Sequence, residues 1–201
     1  MADVEDLPGL LVAIAVGDDR LVRSSLEAAP SLATARLSRQ DEFFIPERHA
    51  QLYEGDTALH AAAFTYDVDV ARELLAHGAD IRAKNRRGAE PLHAATIGAP
   101  DSTTWDPARQ RAIIKFLIAA GADPNAPALG GVTPLHRAVR NRCSPAVAQL
   151  LQAGADPGLP NNNGSTPTDL AHHPTGRGGS GSEAAKAEQQ LILTLLAEAT
   201  N

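Results

Sequence analysis

The chain is poor in most of the residues that would narrow its chemistry. Its 201 residues include one cysteine (Cys143), one tryptophan, one methionine, two tyrosines and four phenylalanines. A single cysteine excludes an intramolecular disulfide and fits a reducing, cytoplasmic setting. No apolar run approaches the roughly 20 residues that a membrane-spanning helix needs. The apolar stretch nearest the start, Leu10 to Val16, is preceded by Asp3, Glu5 and Asp6 and followed by Asp18 and Asp19. A secretory leader has a basic start and a longer core, so export is not expected. Basic excess is missing too. Lysine and arginine number 18 against 24 acidic residues, a net charge of −6, which argues against nucleic acid or an anionic membrane as the main partner. There is no Gly-rich phosphate loop, no G-x-S-x-G and no H-E-x-x-H, so neither a cofactor nor a catalytic metal is expected.

A repeated unit is abundant instead. In Gly131 to Pro157, GVTPLHRAVRNRCSPAVAQLLQAGADP, Thr133 suits a helix cap and Pro134 a first helical turn. Leu135, Ala138 and Val139 give an apolar stripe at helical spacing. Ser144-Pro145 repeats the start signal, with Val147, Leu150 and Leu151 as a second apolar face and Gly154 as a left-handed stop. Thr57-Ala58-Leu59-His60 leads in the same way to His77-Gly78-Ala79-Asp80, and Glu90-Pro91-Leu92-His93 leads to Gly121-Ala122-Asp123-Pro124. Thr166-Pro167-Thr168-Asp169 opens a last, degenerate copy. His60 to His93 and Thr133 to Thr166 are both 33 positions, whereas His93 to His136 is 43. About ten residues are therefore inserted in the third unit.

A period near 33 with T-P-L-H and G-A-D signatures resembles the ankyrin repeat. The resemblance implies an all-α solenoid of about five helix-turn-helix units with hairpin-like fingers and degenerate end caps. Its expected organisation is one domain over 1–201: an N-terminal cap at 7–37, an insertion at 38–53, repeats at 54–84, 85–126 and 127–159, and a C-terminal cap at 160–199. The third repeat carries an insertion near 98–108, and 174–182 is Gly/Ser-rich and flexible by composition. Glu183 to Ala199 reads as a closing helix, with Leu191/Leu195 and Ile192/Leu196 as i,i+4 pairs able to cover the end of the stack. Ala58 and Glu90 depart from the expected proline and threonine, which weakens those helix starts. Tyr66, Ala99 and Arg142 stand where the family often has glycine.

The same resemblance implies binding of another protein through finger tips and the concave face of the first helices, with no catalysis. By position, the partner-facing residues are Tyr53, Asp56, Phe64, Thr65, Arg86, Arg87, Ile97, Leu129, Val132, Arg140 and Asn141. Arg82, Lys84, Arg86 and Arg87 form the most basic run of an acidic chain. It reads either as a solvated loop balancing local acids or as a dock for an acidic segment of the partner. In the 38–53 insertion, Phe43 and Phe44 either fold back onto the array or form an anchor for a partner, including a second copy of the chain.

For the histidines at one repeat position, His60, His93 and His136, the resemblance implies hydrogen bonds that tie neighbouring units together. Roughly 10 Å between stacked helix layers keeps them from sharing a metal. A competing class is a small-molecule site or active site in a rim cleft near Trp105, Cys143, His172 and His173. There Cys143 would be partly exposed and its pKa lowered by Arg140 and Arg142.

Overall fold

The computed structural model describes residues 6–45, 50–172 and 182–199. The acidic start, His49, His173 and the Gly/Ser stretch up to 181 lie outside the described residues. Two compact units are present, Met1–Ala94 and Ala95–Asn201. The helices are α1 (Leu7–Val16), α2 (Asp19–Ala28), α3 (Ala58–Phe64), α4 (Val68–Ala76), α5 (Pro91–Ala95), α6 (Pro107–Ala119), α7 (Pro134–Arg140), α8 (Ser144–Gln152), α9 (Pro167–His172) and α10 (Glu183–Ala199). They fall into consecutive pairs, with short turns inside α1/α2, α3/α4 and α7/α8 and a longer loop between α5 and α6, the pattern of an all-α repeat solenoid.

In the first unit α1 packs on α2 and α3, and α3 on α4. Asp6 starts α1 by accepting from the Gly9 N–H at 2.8 Å, and Gly17 at φ 77° ends it. Leu7, Leu10, Leu11, Ala13, Ile14 and Ala15 of this helix are all buried. Asp18 then accepts from the Leu21 N–H at 3.0 Å and starts α2. The 7–37 segment thus builds a helix pair without the T-P-L-H start, because two aspartates replace the missing cap. After it, β1 (Phe44–Ile45) and β2 (Ala50–Gln51) pair antiparallel, with Phe44 opposite Gln51 and Ile45 opposite Ala50.

The Ala58 start is secured by its neighbours. His60 Nδ1 accepts from the Thr57 N–H at 3.2 Å, and His60 Nε2 donates to the Ala89 carbonyl at 3.0 Å in the next finger. Those two bonds select the neutral imidazole with its proton on Nε2. Glu90 keeps half of the arrangement without a hydroxyl, since its N–H donates to His93 Nδ1 at 3.2 Å. The fingers also bond directly. Gly55 N–H donates to the Leu37 carbonyl at 2.8 Å and Arg86 N–H to the Glu54 carbonyl at 2.7 Å.

In the second unit α6 packs on α8, α7 on α8 and α9, and α10 on α8 and α9. At 13 residues α6 exceeds the 9-residue α8 by four, about one helical turn, as the insertion implies. Thr133 and His136 repeat the Thr57–His60 arrangement, and His136 Nε2 donates to the Ser165 carbonyl at 3.0 Å. In the last pair Asp169 takes the imidazole's place: its carboxylate accepts from the Thr166 N–H at 2.9 Å while its own N–H donates to Thr166 Oγ1 at 3.0 Å. Ile192 and Leu196 are buried on α10, but Leu191 is half exposed. Only one of the two expected pairs therefore lies in the core.

Tyr66 (φ 60°) and Arg142 (φ 56°) are left-handed, so the turns keep the family's glycine conformation at positions that lack glycine. Each such residue costs about 1–2 kcal/mol relative to an unstrained backbone.

A pH dependence follows from His136. Burial, opposed by the bond to Ser165 and aided by Arg140, lowers its pKa below 6.5. The unfolded chain then binds a proton that the folded chain does not, so stability is full above about pH 6.5 and falls as pH drops toward the folded value. Urea denaturation between pH 7.5 and 5.5 should show this loss, and His136→Gln should flatten the slope. An unchanged slope in the variant would refute the assignment.

Candidate partner-binding surfaces

The first-unit surface is built on the hairpin. Alternation along β1 and β2 turns Ile45 and Leu52 inward, and both are buried. Phe44 and Gln51 face out, with Phe44 half exposed, and Phe43 is intermediate. Of the two readings of these phenylalanines, folding back does not hold for Phe44: the pleat sends Ile45 into the core in its place. Tyr53 follows directly, and its ring lies under two guanidiniums, with Arg86 Cζ 4.9 Å and Arg87 Cζ 4.4 Å from the centroid.

Glu42 explains why Arg86 stands there. Its Oε1 accepts from the Glu54 N–H at 2.8 Å and pairs with Arg86 Nε, and its Oε2 accepts from Arg86 Nη2 at 3.1 Å. The Glu54 N–H, then Arg86 and Arg39, hold the Glu42 carboxyl below the usual carboxylate range, against a desolvation that raises it. Lys84 sits 3.7 Å from Glu90, and Arg36 pairs with Asp80. Part of the basic run thus balances local acids. Arg87 does not: among the described residues no carboxylate lies within ion-pair distance of it. Its backbone is fixed, because its N–H donates to Asn85 Oδ1 at 2.9 Å.

Two expected contact residues of this unit are inside. Asp56 is 4% exposed, accepting from the Tyr53 N–H at 2.8 Å and from Asn85 Nδ2 at 2.9 Å. Thr65 is 7% exposed and donates to the Ala61 carbonyl at 3.1 Å. Both hold the fold rather than face a partner. Phe64, at the end of α3, is half-buried.

In the second unit Leu129 is 74% exposed on its finger, Val132 is half-buried, and Arg140 is exposed. Ile97 is exposed near the loop, while the Asn141 amide is spent on the Thr96 carbonyl at 3.1 Å. Finger bonding recurs here through the Asn162 N–H to the Gly130 carbonyl at 2.9 Å.

Ser182, before α10, donates its Oγ–H to Asp101 in the loop before α6, and the arrangement at Trp105 and Cys143 is packed. Trp105 Nε1 donates to Gln110 Oε1 at 3.0 Å, and Gln110 Nε2 donates to the Ala95 carbonyl at 3.1 Å. A Cβ on Gly98 would come within 2.7 Å of the indole and 2.8 Å of Cys143 Sγ. Cys143 is fully buried, and burial, then the Glu188 charge, push its thiol up to about 12 against a hydrogen bond from Gln110. The partly exposed, acidified thiol of the competing reading is therefore not found: desolvation decides, and neither Arg140 nor Arg142 is among the charges that shift it. His172 is exposed at the end of α9, and His173 lies outside the described residues.

Sequence reasoning missed Glu42 and Gln110. Glu42 sits in a non-periodic insertion with no pattern to mark it. Gln110 left a signal, a polar residue three and four positions before Ile113 and Ile114 on the core face of α6.

No helix among the described residues is long and apolar enough to cross a membrane. Ankyrin-repeat family models match residues 54–86 (one repeat) and 117–171 (several copies). The NF-kappa-B inhibitor cactus of Drosophila yakuba is 38% identical over 77 residues, covering 38% of this chain and 14% of that protein. Tyrosine-protein kinase Shark of Drosophila melanogaster is 33% identical over 103 residues, covering 51% of this chain and 10% of that protein. The chain therefore spans a small fraction of either relative. Ankyrin repeats are in general non-enzymatic modules that bind other proteins. With matched repeats at 54–86 and 117–171, and the same His-to-next-finger bond at His60 and His136, the chain carries ankyrin repeats over these segments.

Proposed function

We propose that this chain is a non-catalytic binding module that holds a partner protein through its fingers and first helices. The contact residues are Tyr53, Phe64, Arg86 and Arg87 in the first unit and Ile97, Leu129, Val132 and Arg140 in the second. One observation carries the reading: the Tyr53 ring stacks with Arg86 and Arg87 on an accessible finger, in a chain of net charge −6. Tyrosine and arginine are the residues most enriched at interface hot spots, and a stacked guanidinium loses little freedom on binding. The relative cactus is named an inhibitor of NF-kappa-B, and engagement of a partner protein is the part of that description carried over here. A buried thiol pushed up to about 12 supports the absence of nucleophilic chemistry at Cys143. A single cysteine supports action in a reducing, cytoplasmic compartment.

Affinity capture from lysate with wild type, Phe64→Ala/Arg87→Glu and Leu129→Asp tests the reading. The expected result is a protein retained by wild type and reduced about tenfold or more by at least one surface variant, with denaturation midpoints nearly unchanged. Identical retention by all three baits would overturn it.

A further inference from the structure

We propose that the outer face of the β1–β2 hairpin, with Arg87 at its edge, receives an acidic segment of the partner protein that carries an apolar side chain beside its carboxylate. The inference rests on the partner-binding reading above and specifies what the bound segment must contain.

Charge comes first. Arg39, Arg86 and Arg87 gather at this corner of the first unit. Glu42 engages Arg86 through both oxygens and feels Arg39. The Glu42 carboxylate is taken up by Arg86 and the Glu54 N–H, and among the described residues no carboxylate lies within ion-pair distance of Arg87. Arg87 is held 4.4 Å over the Tyr53 ring. A guanidinium placed on a ring keeps the N–H groups along its edge available for a carboxylate. The Asn85 side chain fixes the Arg87 backbone, so the receptor is pre-organised and binding costs less ordering.

Apolar surface comes second. Phe44 is half exposed, and the register places it on the same side of the hairpin as Gln51, which precedes Tyr53 by two residues. Its register partner Gln51 turns its amide to the Phe43 and Leu52 carbonyls at 3.1 and 2.9 Å. An exposed aromatic on the hairpin that leads into the Tyr53–Arg87 stack matches a segment in which an apolar residue neighbours Asp or Glu. A segment bearing only charge would leave Phe44 idle, and a basic one would meet Arg87 with like charge.

Panning a random peptide display library on the whole wild-type chain tests this. The recovered peptides are then measured against Arg87→Glu, Phe44→Ala and Leu129→Asp. Enrichment of Asp or Glu beside Leu, Ile or Phe is expected, with affinity lowered about tenfold or more by Arg87→Glu and about threefold by Phe44→Ala. A peptide with its acid changed to arginine should regain affinity for Arg87→Glu. Neutral or basic consensus peptides, no enrichment at all, or indifference to Arg87→Glu would overturn the inference. Peptides lost on Leu129→Asp alone would leave the partner-binding reading standing and remove only this one, whereas indifference to all three variants would remove both. A wild type that dimerises through this face, with monomers on Arg87→Glu, would overturn it in favour of a second copy.

Discussion

Replacing Gly55 by alanine should destabilise the first unit by about 2–5 kcal/mol, far more than the same change at Gly17. Both glycines are left-handed, at φ 85° and 77°, so both variants incur the backbone cost of about 1–2 kcal/mol. Only Gly55 adds a steric term. A Cβ there would lie 2.8 Å from the Asn85 Cα and 2.9 Å from the Lys84 carbonyl oxygen, whereas at Gly17 nothing comes within 4 Å. The atoms in the way are backbone, which cannot rotate aside, so the two fingers must separate. Separation strains three bonds at once: Gly55 N–H to Leu37, Arg86 N–H to Glu54, and Asn85 Nδ2 to Asp56. Paired urea denaturation of Gly17→Ala and Gly55→Ala measures the steric term by difference. Equal midpoints would mean that the fingers tolerate a methyl group and that the close approach has no energetic weight. The experiment also touches function, because Arg87 and Tyr53 depend on the finger that Gly55 positions.

The finger contact shows which parts of the structure could be read in advance. The repeat phase, the helix starts at Thr133 and Thr166, and the cross-unit histidines are local signals that recur, so their meaning survives without coordinates. The extra turn in α6 was legible for the same reason, since its length follows from a start at Pro107 and a stop at Gly121. Burial at the surface was not legible. Asp56 and Thr65 occupy positions that face partners in the family's pattern, but Asp56 turns its carboxylate to the Tyr53 N–H and the Asn85 amide, and Thr65 bonds back to its own helix. Such local alternatives for short polar side chains depend on rotamers that spacing cannot fix. The 38–53 segment was opaque because a two-residue strand pair has too few residues for alternation to register. The fate of Phe44 and Glu42 therefore depended on which face the pleat turned inward.

Gln110 is the second large expected effect, and it decides whether the Trp105 loop is a structural closure. Gln110→Leu keeps the size of the side chain and removes its amide. The change leaves Trp105 Nε1–H and the Ala95 carbonyl without the partners they have at 3.0 and 3.1 Å. Each buried polar group left unsatisfied costs about 1–3 kcal/mol, so the second unit should lose about 2–4 kcal/mol in all. Two local readouts separate this from general weakening. Trp105 is the chain's one tryptophan, so its fluorescence should shift to the red as the indole leaves Gly98. Cys143 is the one thiol, fully buried and pushed up to about 12, and should react slowly with a thiol reagent in the native wild type. Labelling should accelerate in Gln110→Leu at denaturant concentrations where far-UV circular dichroism is still native. If labelling and fluorescence stay at wild-type values while the midpoint falls, Gln110 acts only through α6 packing. If all three stay unchanged, the amide is dispensable and the loop is held by other contacts. The expected acceleration would explain why a loop carrying an aromatic residue lies over a cysteine in this chain: the insertion keeps the thiol dry, and the glutamine amide holds the insertion in place.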